Sequence, residues 1–124
     1  MIKEDYCSFE ISKLLKEKGF DVPCRAYWDN QPSLNIRALF WTVEPYHYNR
    51  EVNAPTHQMA MKWLREEYDI IICIDYNEDE ECEERWGFST YQNNVRKVDF
   101  DLVTYVTYED AVEAALKYCL TELI

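Results

Sequence analysis

The stretch APTHQMAMKWLREEYDIIICI, residues 54 to 74, limits the fold most narrowly, because its hydrophobic period changes partway along. Over the first fifteen residues the apolar positions recur at helical spacing: Ala60 and Leu64 centre a stripe flanked by Met61, Trp63 and Tyr68, while Gln58, Lys62 and Arg65 face away. Pro55 suits a first turn, where its missing N–H costs nothing. Ile70 to Ile74 are then apolar on both alternating faces, the pattern of a central strand covered on part of each side. Helix and strand therefore share one short segment.

The remaining elements follow from the same signals. Ser8 is placed to cap a helix running to about Lys18, with Cys7, Ile11, Leu14, Leu15 and the stem of Lys18 on one side and Gly19 as its stop. RAYWD and NIRALFWTV, parted by the turn-prone NQPS, read as a hairpin, and EPYHYNREVN as a loop with at most a short edge strand. WGFSTYQ and VRKVDFDLVTYV continue the sheet, with Asn93-Asn94 as a turn able to take positive φ. Thr107-Tyr-Glu-Asp110 opens the last helix in the manner of a capping box, with aspartate for the usual glutamate; Tyr108, Val112, Ala115, Leu116, Cys119 and Leu123 share one face. The expected fold is α+β, a mainly antiparallel sheet of about five strands packed with three helices in the order α-β-β-α-β-β-β-α, an α/β sandwich. Most connections are too short for parallel crossovers. The expected organisation is a single domain over 1–124, within which 54–124 reads as a compact sub-unit.

At 124 residues and 48% hydrophobic, with 2 Gly and 4 Pro, the chain is a folded domain that needs no disulfide or metal for its stability. A net charge of −11 speaks against direct binding to nucleic acid or an anionic membrane, which require a basic footprint, and leaves basic partners open. Five cysteines, at 7, 24, 73, 82 and 119, form no C-x-x-C pair and read as reduced thiols of a cytoplasmic protein. The acid-containing amino terminus MIKEDYCSFEISKLL has no signal-peptide core, and no segment reaches the length of a membrane span.

DYNEDEECEERW, residues 75 to 86, opens like a calcium loop, with Asp75, Asn77 and Asp79 at its first, third and fifth positions. Its sixth position is Glu80 rather than glycine and its twelfth is Trp86 rather than glutamate, so the sharp turn and the bidentate ligand are both missing. The flanks, moreover, read as strands. Asn77 to Glu84 carries five Glu and one Asp, which cannot be buried unpaired, and is expected to be a solvated hairpin tip. Carboxylates around Cys82 are expected to raise its thiol pKa.

His47 and His57 with Cys73 and Cys82 match no familiar zinc spacing, and Cys73 and Cys119 read as small core residues. No nucleophile–base set, phosphate-cradling glycine loop or H-E-x-x-H is present, so we expect no enzyme, no catalytic or metal site and no cofactor. With 24 acids, close carboxylate pairs are uninformative. The aromatics say more: Tyr27, Trp28, Phe40, Trp41, Tyr46 and Tyr48 crowd the hairpin and the loop after it. Phe40 and Trp41 cannot both face one layer. Either a helix covers the second face or an aromatic patch binds a partner; Trp41, Tyr46, His47 and Tyr48 are the candidate partner-binding residues.

In SFEISKLLKEKGFDVPCRAYW, APTHQMAMKWLREEYDI and TYEDAVEAALKYCLTELI the chain resembles small uncharacterised proteins of gut Bacteroides and their prophages or other mobile elements. The elements A-P-T, M-K-W-L-R and T-Y-E-D-A carry that likeness. The closing helix, strands and helix are also similar to the phage ABA-sandwich domain. The resemblance implies an α/β sandwich and a phage or mobile-element origin, and brings no catalytic residues. The expected function is a non-enzymatic protein-interaction module with a protein partner. The alternatives are an acidic DNA mimic that inhibits a nucleic-acid-binding protein, and a small hydrolase using scattered acids with His47 or His57.

Overall fold

The computed structural model describes residues 2–36, 51–78, 81–98 and 104–124, which group into two compact units, Met1–Ala60 and Met61–Ile124.

The first unit opens with α1, Phe9–Glu17. Ser8 lies in extended backbone and its hydroxyl accepts from the Ile11 N–H, satisfying a donor the helix start cannot. At the other end Gly19 turns to φ 96°, its N–H meeting Lys16 O while Phe20 N–H returns to Leu15 O, a pair of bonds only a left-handed residue permits. Phe20 is thereby carried back beside the last turn, and it, Ile11 and Leu15 are all buried.

Three short strands follow: β1 (Ala26–Trp28), β2 (Leu34–Ile36) and β3 (Val52–Asn53), with β1 in the middle and both neighbours antiparallel to it. The predicted hairpin turn is tied by Asp29, whose Oδ1 accepts from the N–H groups of Gln31 and Ser33 and whose Oδ2 accepts from the Asn35 amide. Those bonds favour the charged carboxylate, so its pKa lies below the ordinary aspartate value, the Ser33 N–H acting most strongly and the Asn35 amide next.

The helix α2 (His57–Tyr68) begins in the first unit and ends in the second. Thr56 caps it, its hydroxyl accepting from Met59 N–H, so Pro55 lies before the helix rather than in its first turn. Ala60 and Leu64 are fully buried as the spacing requires, and Trp63 is half-buried with its ring edge-on to Tyr68. Asp69 then takes φ 52° and ends the helix at β4 (Ile70–Tyr76).

In the second unit β4 pairs along its whole length with β5 (Trp86–Gln92), from Ile70↔Gln92 to Tyr76↔Trp86. Two residues, Asn93 and Asn94 at φ 52° and 66°, make the turn into β6 (Val95–Val98), and β7 (Thr104–Tyr105) pairs with the start of β5. Helix α3 (Tyr108–Tyr118), capped by the Thr107 hydroxyl on Asp110 N–H, packs against the sheet and continues into a π-helical turn, Cys119–Leu123. Ala111, Val112, Ala115, Leu116, Cys119 and Leu120 are fully buried.

The fold is α+β and every strand pairing described is antiparallel. The expected single sheet of about five strands is corrected: among the described residues there are seven strands, in sheets of three and four, in the order α-β-β-β-α-β-β-β-β-α. β3 is the short edge strand allowed for in EPYHYNREVN, and β6 and β7 both fall within the expected strand VRKVDFDLVTYV, whose residues 99–103 lie outside the described ones; β3 and β7, at two residues each, are bounded by the strands they join. The expectation of a central IIICI strand is also corrected, since β5 is central and β4 stands at the end of the sheet among the described residues. An apolar run looks the same in either place.

Candidate interaction surface

The β4–β5 hairpin holds the acidic stretch between two strands, not two helices, as expected for a solvated tip. The Asn77 N–H donates to Arg85 O at 2.7 Å and continues the ladder one step past the strands. Arg85, the one basic residue between 77 and 85, sends Nε to Cys82 O and a terminal nitrogen to the Tyr76 hydroxyl, at 2.8 and 2.9 Å. The Cys82 thiol donates to Glu84 O, and the Thr104 hydroxyl donates to the Glu84 carboxylate. Glu78, Glu81, Glu83 and Glu84 remain exposed. Water can solvate them, and hydrogen bonds, chiefly those of the Arg85 side chain, tie the described part of the tip.

At the root of the tip, register places Tyr76 opposite Trp86, with ring centroids 4.7 Å apart, and Tyr108 meets the same indole edge-on at 5.4 Å. Tyr76 is 48% exposed. These three rings are functional candidates that the sequence reading passed over. Hairpin pairing could signal Tyr76 and Trp86 alone, the residues that bound the acidic run and close the ladder on each other; Tyr108 joins them only through the packing of α3.

Along β4, Ile70, Ile72, Ile74 and Tyr76 share the face that α3 covers, because their partners Phe88 and Trp86 carry the contacts to Tyr118 and Tyr108. Ile71, Cys73 and Asp75 take the other face, and Ile71 is 41% exposed. Among the described residues no strand pairs with the far edge of β4.

Charge separates the two units sharply. Residues 1–60 hold 7 Lys and Arg against 8 Asp and Glu; residues 61–124 hold 6 against 16. Nearly all of the net charge of −11 thus belongs to the unit with the acidic tip.

The sequence-predicted partner residues Trp41, Tyr46, His47 and Tyr48 lie outside the described residues, as does Phe40. Trp28 is half-buried, its indole donating to Cys7 O at 3.0 Å with Phe9 edge-on at 6.2 Å, so it serves the first unit's own packing. His57 is buried at the start of α2, and one of its ring nitrogens lies within 4.8 Å of the Cys7 thiol, a pairing that fifty residues of separation conceal. Those are two of the four donors that a structural zinc takes. Cys73 is half-buried in β4, and Cys119 is buried on α3, where desolvation pushes its thiol up to about 12 and keeps it protonated. Burial also raises the Tyr105 phenol.

The first unit carries a groove of about 470 Å³ lined by Phe9, Lys13, Lys16, Glu17, Asp29 and Val52. Its two acids and two lysines balance, and the Asp29 oxygens are committed to the hairpin turn. Among the described residues no helix is long and apolar enough to cross a membrane. Comparison with protein families, with characterised proteins and with solved structures found no match.

Proposed function

We propose that the chain is a non-enzymatic protein-interaction module whose second unit engages a basic partner protein. The observation that carries this is the partition of charge, 16 acids against 6 bases after residue 60 and near balance before it. Charge so concentrated steers basic partners over a Debye length of roughly 8 Å at physiological salt. The exposed Tyr76 beside the tip adds an aromatic face of the kind that Lys and Arg side chains seek. The phage or mobile-element origin implied by the chain's resemblance is part of the same proposal.

The test is affinity capture from lysate of the native host, run in parallel with a variant carrying Glu78→Gln, Glu81→Gln, Glu83→Gln and Glu84→Gln, followed by reconstitution with the purified partner. A basic partner whose affinity falls steeply with salt and with the four substitutions is the expected result. Retention of neutral or acidic proteins alone, indifferent to both, refutes the proposal.

A further inference from the structure

We infer that the far edge of β4 receives an extended, basic segment of the partner as an added β-strand. This rests on the interaction reading above and states its mode. An edge strand presents a row of unpaired N–H and C=O groups, and proteins ordinarily blunt such edges with lysine, proline, a bulge or a covering segment. β4 has none of the first three: from Ile70 to Ile74 it carries no charge and no proline, and its register with β5 runs unbroken through seven pairs. The contrast lies in the same sheet, where the β5–β6 pairing shifts register between Thr90 and Tyr91, and β6 carries Arg96 and Lys97. Seven residues is the length of a common recognition strand.

Charge chooses the occupant. Asp69 precedes the strand, Asp75 lies near its end and Glu78 just past it, all exposed. A second copy would bring the same excess of acid to the edge, whereas a segment bearing Lys or Arg at alternate positions neutralises it. Alternation also fits the two faces: apolar residues of the added strand extend the layer of Ile70, Ile72 and Ile74 beneath α3, and basic ones fall on the face of Ile71, Cys73 and Asp75.

The probe is a fluorescein-labelled heptapeptide, Val-Lys-Val-Lys-Val-Lys-Val, measured by anisotropy against the full chain. Its counterpart methylated at every backbone nitrogen keeps every side chain and charge but has no backbone N–H to donate. At low salt the unmodified peptide is expected to bind at least about tenfold more tightly than the methylated one, since the backbone ladder supplies the affinity in strand addition. With the central Lys replaced by cysteine as its thionitrobenzoate mixed disulfide, thiol exchange is expected at Cys73 in preference to Cys82, mapped by mass spectrometry. Equal binding of the two peptides overturns strand addition and leaves the basic-partner reading standing. Failure of both to bind at low salt removes the two together. Sedimentation showing a dimer that the peptide dissociates would give the edge to a second copy and equally overturn the inference.

Discussion

The two units solve one problem differently. Each contains an antiparallel sheet with a helix against it, yet the first builds its sheet from strands of two and three residues and the second from a pair of seven. Strands so short carry few ladder bonds, and the first unit adds side-chain bonds to them: Asp29 closes the β1–β2 turn and the Trp28 indole reaches Cys7 O. In the second unit an unbroken ladder from Ile70 to Tyr76 sets the register, and the side-chain bonds of Arg85 tie the tip beyond it. The difference explains where the acid can go. A strand pair that sets its own register tolerates a highly charged tip, and Glu78, Glu81, Glu83 and Glu84 all stay exposed there.

The comparison breaks most readily at the cores. Leu15→Ala in the first unit and Leu64→Ala in the second each remove a fully buried side chain and are expected to cost roughly 2–5 kcal/mol in urea denaturation. An unchanged midpoint for either would mean that its unit lacks a packed core. A smaller effect is expected at the positive-φ turns. Gly19→Ala meets no atom within 4 Å, so its cost of about 1–2 kcal/mol is backbone strain alone. Asn94→Gly, already at a conformation that asparagine accepts, should instead be stabilising by about 0.5 kcal/mol. Opposite signs in thermal denaturation are the diagnostic outcome.

The helix caps come next, and here the units should agree. Ser8→Ala and Thr107→Ala each delete one hydroxyl acceptor and are expected to cost about 1 kcal/mol, with loss of helical circular dichroism confined to thermally stressed samples. The smallest effect is the pH response of Asp29. Its folded pKa is depressed, so its contribution is complete above the ordinary aspartate value and disappears as pH falls through the lowered one. Carboxyl titration by NMR should place its midpoint below that of a free aspartate, and Asn35→Ala should move it upward. A midpoint insensitive to Asn35 would show that the side-chain bond is not formed in solution.

Local signals were the legible ones. Ser8, Gly19, Thr107 and the Asn93-Asn94 pair declared the ends of their elements because capping and positive φ are decided within four or five residues of chain. The stripe of Ala60 and Leu64 and the face of Val112, Ala115, Leu116 and Cys119 were equally plain, since helical period alone selects the buried side. The acidic tip was recognisable because charge density forbids burial.

What tertiary structure decided was pairing. Whether the run Ile70–Ile74 is central or at an edge depends on which strands arrive beside it, and its own residues are compatible with both. The strands β3 and β7 lie within stretches that read as a short edge strand and as strand, but at two residues each their bounds are set by the strands they join. The cluster of Tyr76, Trp86 and Tyr108 follows from hairpin register and from the approach of α3, neither of which any one segment encodes. Period and capping are properties of a few neighbouring residues, so the sequence determined them alone. Edges, register and aromatic contacts are properties of segments that meet, and only the folded chain brings those segments together.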